Sequence, residues 1–272
     1  MPQDGLPAGR GDLGVWRGGR GDPVLRGLYT AASGMLARVL QQERLAGDLA
    51  NVNTPGYKAS RNVTEAFPEL LLSRLDGTGA PVVGPLGTGT VVAEPGADMR
   101  PGPWVTTGRP QDLALEGDGF FVVMGPGGPA YTRAGNFTVG PEGYLQAPDG
   151  SPVLDTTGQP LLVGSAQFTV RPDGQVVGGD AVLGTIARVT FANPAGLRRV
   201  GDNLWQATPE SGPAVPAATP VRQGVLEQSN VDPVQVVVAM LANFRAFEAA
   251  QRAVQAQDQT LGLAIQEVGR VT

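Results

Sequence analysis

From Asp232 onward, apolar residues return at intervals of three and four. They are Val237, Leu241, Phe244, Phe247, Val254, Leu261, Ile265 and Val268, with Gln251 and Asp258 in the same stripe. This is the spacing of one helix face. Asp232 suits the cap, Pro233 the first helical position, and Gln235 the place where a capping box wants Glu or Gln. Pro233 to Val268 is about 36 residues, roughly 54 Å if helical throughout. That exceeds an ordinary globular helix and points to a coiled coil or a helical assembly. A lone helix cannot bury such a stripe, and the periodicity does not name its partner.

A second stripe runs near the other end: Leu28, Ala32, Met35, Val39, Gln42, Ala46 and Leu49, widened by Leu36, Leu40 and Leu45. Gly34 and Gly47 weaken this helix in isolation. It stops at Asn51-Val52-Asn53-Thr54-Pro55-Gly56, where Pro55-Gly56 fits the centre of a type II turn and Gly56 takes the positive φ. The two stripes are candidates to pair with each other across the whole chain.

Between the helices, from Trp104 to about Ala207, the reading is β. Leu113-Ala114-Leu115 and Phe120-Phe121-Val122-Val123 flank Gly117-Asp118-Gly119, and Tyr131-Thr132-Arg133 and Asn136–Val139 flank Ala134-Gly135. Asp149-Gly150 and Asp173-Gly174 are hairpin-type pairs. Residues 185–191 alternate Ile186, Val189 and Phe191 with polar partners. Short strands at this spacing predict a compact barrel-like or sandwich domain. Glu69–Leu75 fits a short helix or an extended arm, with Pro68 in its first turn, and one strand is expected over Thr88–Ala93. The forty glycines and twenty-four prolines are not periodic and fall mostly between residues 76 and 220, so they are read as turns rather than as collagen.

Composition narrows the function. The net charge of −5 and pI near 4.8 argue against nucleic acid, and no basic stripe suits an anionic membrane. The chain has no Cys and no His. That removes thiol nucleophiles, the usual zinc sites and Ser-His or Cys-His catalysis. There is no run of eighteen apolar residues, so no direct membrane insertion is expected. The start lacks the basic and apolar regions of a cleavable signal peptide. Residues 1–23 are Gly- and Arg-rich, with Arg10-Gly11-Asp12 and Arg20-Gly21-Asp22. They are expected to be a disordered extension, and translation starting at Val24 would leave them out of the native protein.

Three separated motifs resemble the bacterial flagellar rod and hook proteins. The first is Leu25-Arg26-Gly27-Leu28-Tyr29-Thr30-Ala31-Ala32-Ser33-Gly34-Met35, followed by Leu49-Ala50-Asn51-Val52-Asn53-Thr54-Pro55-Gly56-Tyr57-Lys58. The second is Asp112–Val123 with Tyr131-Thr132-Arg133-Ala134-Gly135-Asn136-Phe137. The third is Gly224-Val225-Leu226-Glu227-Gln228-Ser229-Asn230-Val231-Asp232-Pro233-Val234. The resemblance covers residues 24 to about 270 in the family's order. Gly47-Asp48 departs from the paired Asn common there, a mild change at a helix end. Asp98-Met99-Arg100-Pro101-Gly102 resembles proximal-rod sequences and Gly87-Thr88-Gly89-Thr90 distal ones, which leaves the position along the rod open. The resemblance implies a structural subunit whose terminal segments form an inner tube, with the β domain outside. It implies as partners other copies of itself, other rod and hook proteins, and the flagellar type III export apparatus. It also implies a place in the basal body outside the cytoplasmic membrane, reached without a cleaved signal peptide.

Other chemistry is weaker. Gly117-Asp118-Gly119 and Gly125-Pro126-Gly127-Gly128 lack the Lys-Ser/Thr ending of a phosphate loop and read as hairpin turns. Glu116 and Asp118 are candidates for a glycan hydrolase pair, but two acids in one turn are commonly solvated. Trp104 and Trp205 read as core or interface anchors. Asp173 and Asp180 lack the acidic spacing of a calcium loop. The Arg-Gly-Asp triplets support an extracellular adhesin, which does not explain two matched helical ends.

The resulting expectation is an α+β protein with long N- and C-terminal helices forming a coiled-coil-like element around a central all-β domain. Its parts are 1–23 extension, 24–58 helix and signature turn, 59–103 linker or arm, 104–208 β domain, 209–223 linker and 224–272 C-terminal helix. No catalytic, cofactor or metal residues are assigned. The expected assembly interface is Leu28, Met35, Val39, Leu49, Asn51, Pro55, Gly56, Tyr57, Ser229, Asn230, Val231, Pro233, Val237, Leu241, Phe244, Phe247 and Val254. Gln251 and Asp258 are candidates for setting register there.

Overall fold

The computed structural model describes residues 23–61, 64–66, 70–73, 82–86, 90–92, 96–179, 181–201 and 203–269. The Arg-Gly-Asp segment, Pro68-Glu69, Gly87-Thr88-Gly89 and Asp180 lie outside the described residues, as do the side chains of Leu28, Leu261, Ile265 and Val268.

Helix α1 spans Pro23–Ala50 and α2 spans Pro233–Gly269. The cap of α2 is the one its sequence suggests: Asp232 Oδ1 accepts from Val234 N at 2.9 Å and from Gln235 N at 3.2 Å. This satisfies two donors of the first turn that have no partner inside the helix. Beyond α1, Tyr57 N donates to Thr54 O at 3.3 Å and Gly56 has φ 67°, as the type II turn requires.

The rest of the described chain is mainly β. A six-stranded antiparallel sheet runs in the order Arg198–Arg199, Trp205–Gln206, Gly128–Thr132, Phe120–Gly125, Arg188–Thr190, Val215–Pro216. Successive side chains of a strand point to opposite faces. Phe121 and Val123 therefore join one core, with Leu113, Phe137, Leu145, Val153 and Ile186. Phe120 and Val122 join a second, with Tyr131, Phe191, Leu197 and Trp205. Covering both faces is why this strand reads as an unbroken apolar run. Pro126-Gly127 closes the hairpin between Gly125 and Gly128.

Strands also occur within 59–103 and 209–223. Ser60–Arg61 pairs with Gly96–Ala97, Thr64–Ala66 with Thr90–Val92, and Leu70–Ser73 with Val82–Leu86. On the return, Val221–Gln223 pairs with Leu113–Leu115, and Val225–Glu227 with Trp104–Thr106. The outgoing and returning chains are thus zipped together, with Leu113, Leu115 and Val221 in the first core.

The expected fold class needs correction. Among the described residues there are two α-helices, one short 3-10 turn at Pro194–Gly196 and a mainly β remainder, and the described positions of the apolar stripes do not form a coiled-coil seam. On α2, Val237, Leu241 and Phe244 are 44%, 58% and 56% exposed, while the buried residue among them is the polar Asn243. The less exposed positions are Val236, Ala239, Met240, Asn243, Ala246, Phe247, Glu248, Ala250, Val254 and Gln257. This stripe is turned from the expected one by a residue at its start and joins it at Phe247. On α1, Leu36 and Val39 are exposed, whereas Leu45 and Asp48 are buried. The physical reason is that the start of α2 is apolar almost all round, so periodicity does not select one face.

Candidate functional site: the junction of both chain ends with the β domain

The turn after α1, the strand before α2 and the β domain meet around three charged side chains. Lys58 follows the type II turn, Glu227 ends the strand Val225–Glu227, and Arg133 follows the strand Gly128–Thr132. Lys58 Nζ donates to Glu227 Oε1 at 2.6 Å, with both side chains essentially inaccessible. Lys58 Nζ also donates to Arg100 O at 2.8 Å, and Gly102 N to Glu227 Oε1 at 3.1 Å. Arg133 Nη1 lies 3.6 Å from Glu227 Oε2 in an ion pair too long for a hydrogen bond, while its Nη2 donates to Gly117 O at 2.7 Å. Burial lowers the pKa of Lys58, with Glu227 working against that shift. Burial likewise lowers that of Arg133. A single carboxylate thus holds two desolvated cations from distant parts of the chain.

Backbone bonds complete the junction. Gly56 N donates to Glu227 O at 2.7 Å. Ala59 N donates to Asn230 Oδ1 at 2.8 Å, and Asn230 Nδ2 donates to Asp98 O at 2.8 Å and Arg100 O at 3.0 Å. Asn203 Nδ2 donates to Pro55 O at 2.9 Å. Gly56 has no room for a side chain, since a Cβ there would lie 2.3 Å from Ala134 N.

A second group lies beside the first. Tyr57 OH donates to Asp48 Oδ1 at 2.9 Å and accepts from Arg199 Nη1 at 3.0 Å. Asp48 also accepts from Ser60 N at 3.1 Å. The Arg199 guanidinium lies 4.4 Å from the centre of the Tyr57 ring and 4.8 Å from that of Trp205. Burial raises the pKa of Tyr57, partly offset by its bond to Arg199. Asp48 is 4% exposed. Asp48 is therefore a hub of this junction. A cavity of about 640 Å³, lined by Ser60, Ala97, Arg199 and Trp205 among others, leaves the Arg199 side of the junction open to solvent.

The expected assembly residues fall into two groups. Gly56, Tyr57, Ser229 and Val231 are buried, and Asn51, Pro55 and Asn230 are half-buried; Pro55, Gly56, Tyr57 and Asn230 bond across the junction. Val39, Pro233, Val237, Leu241 and Phe244 are exposed, and Met35, Leu49, Phe247 and Val254 are half-buried along the helices. Sequence reasoning missed Lys58, Glu227, Arg133, Arg199 and Asp48. Lys58, Arg133 and Glu227 stand as charges inside the three motifs, whereas Arg199 lies outside them and Asp48 entered only as a departure from the family pattern. Among the described residues there is no group of three or more acidic side chains able to hold a metal ion. Glu116 is engaged by Arg222 at 3.0 Å, with both exposed.

In this architecture both chain ends are tied to a β domain by buried ion pairs. A family model described as the flagellar hook protein FlgE/F/G D1 domain matches residues 114–178. Another, for the C-terminal part of the flagellar basal body rod FlgEFG proteins, matches residues 222–267. The chain is 34% identical to the flagellar basal-body rod protein FlgG of Borreliella burgdorferi over 89% of its own length and 98% of that protein. It is 35% identical to the flagellar basal-body rod protein FlgF of Salmonella typhimurium, over 88% and 96%. Against the flagellar hook-basal body complex protein FlhO of Bacillus subtilis the identity is 31%, over 91% and 100%. The chain belongs to the flagellar basal-body rod protein family, as its three motifs indicated, and is a structural component of the flagellum.

Proposed function

We propose that this protein polymerises through its terminal helices as part of the axial shaft that joins the flagellar motor to the hook. Its partners in this reading are further copies of itself and neighbouring rod and hook proteins, in the basal body outside the cytoplasmic membrane. Delivery is by the flagellar type III export apparatus, and the role is structural rather than enzymatic. The observation that carries the reading is the apolar face left uncovered on α2. Val234, Val237, Val238, Leu241 and Phe244 are each between 44% and 71% exposed, over about three turns of helix. Leu36 and Val39 of α1 add 61% and 41%. A contiguous apolar surface of this kind marks an interaction site, and a contact that does not close on itself builds a filament.

The test is the pair Leu241→Asp and Phe244→Asp in the native host. The expected result is a protein that keeps its β domain but is absent from purified basal bodies, with motility lost. Normal basal bodies containing the doubly substituted protein would overturn the reading.

A further inference from the structure

The start of α2 offers two overlapping faces to α1. One carries Val237, Leu241 and Phe244; the other carries Val236, Met240 and Asn243. Hydrophobic burial alone favours the first, since it would remove a Leu and a Phe from water. The fold uses the second. Asn243 is 4% exposed, and its Nδ2 donates to Arg38 O at 2.8 Å and to Gln42 Oε1 at 2.9 Å, both on α1. Asn243 Oδ1 has no partner among the described residues. All the polar bonding of this buried amide is therefore directed at the other helix.

We propose that Asn243 is the positioning residue that selects which face of α2 is turned to α1, and so which face stays outward. A backbone carbonyl in mid-helix is a fixed point both along the axis and around it. An amide that bonds to it, and to the side chain one turn on, fixes rotation and register together. A buried Asn is known to specify register between helices at a cost in stability. With Asn243 turned inward, Leu241 and Phe244 are turned outward. The proposal concerns the isolated chain and stands whether or not the outward face drives polymerisation.

Because the chain has no Cys, spin labels attached at Glu43→Cys and Arg245→Cys report the helix pair alone. Both positions are exposed. The native background gives one narrow distance distribution. Asn243→Ala, which removes both bonds without adding apolar bulk to the inward face, is expected to add or substitute a population displaced by roughly 5 Å or more, because one residue of rotation is about 100° around a cylinder 10–12 Å across. Gln42→Leu, which leaves the Arg38 carbonyl bond in place, is expected to produce a smaller second population. A native distribution in Asn243→Ala, with helical content unchanged, overturns the proposal. Loss of the helix pair in both Asn243→Leu and Asn243→Ala also overturns it, since Asn243 would then supply stability rather than selection.

Discussion

Glu227 is the residue on which the junction depends, since it faces Lys58 at 2.6 Å and Arg133 at 3.6 Å with 1% of its side chain exposed. Removing one partner of a buried ion pair costs about 3–5 kcal/mol, because the other charge is left desolvated and unpaired. Glu227→Gln strands two cations at once, so its loss is expected at the upper end of that range, read as a lowered urea midpoint. Gly56 and Gly108 make a controlled comparison. Both have positive φ, 67° and 71°, but a Cβ on Gly108 meets nothing within 4 Å while one on Gly56 meets Ala134 N at 2.3 Å. Ala at either site carries the left-handed backbone cost of about 1–2 kcal/mol. Only Gly56→Ala is expected to exceed it, and thermal melts of the two variants give the difference directly.

At the scale of elements, the two helices and the central sheet differ in how they are held. The strand Phe120–Gly125 is paired on both sides and buried on both faces. The later turns of α2 have few buried positions, and Gln251, Arg252, Gln255, Asp258 and Gln259 are exposed. Local opening free energy follows burial and contact density. In hydrogen exchange on the isolated protein, the amides of Phe120–Val123 are expected to be the slowest. Those around Asn243 should be intermediate, and those beyond Gln257 fast. Uniformly slow exchange along α2 would show that the intramolecular pairing already satisfies the helix, and would weaken the case for its outward face as an assembly surface.

For the molecule as a whole, the ion pair between Lys58 and Glu227 joins residues 169 apart in sequence. Long-range closure of this kind slows folding relative to local contacts. The junction also gives stability an alkaline dependence with two opposed signs. Burial holds Tyr57 and Tyr131 above their ordinary 10.0. The unfolded chain ionises these tyrosines first, so their contribution is present below pH 10.0 and falls as pH rises beyond it. Lys58 acts in reverse. Its folded pKa lies below 10.5, so between the folded value and 10.5 the unfolded chain holds more protons and stability gains with pH. Urea midpoints taken from about pH 9 to pH 11 are expected to decline less steeply in Tyr131→Phe, and more steeply in Lys58→Met, than in the native protein.

The sequence by itself determined what is local. Asp232 caps the nearest amides, Pro55-Gly56 makes its turn from its own φ preferences, and Phe120–Val123 reads as a short strand because it is an apolar run next to a Gly turn. The three motifs also placed the chain in its family, since they are runs of adjacent residues. Tertiary structure decided the rest. Lys58, Arg133 and Glu227 read as solvated charges until the fold brings them together, because nothing within a few residues of any one of them shows that its partners lie in distant segments. The face of α2 turned to α1 was likewise undecided, because an almost wholly apolar helix start supports several stripes equally. The choice came from one polar contact, Asn243 to Arg38 and Gln42, whose direction is fixed only when the second helix is in place.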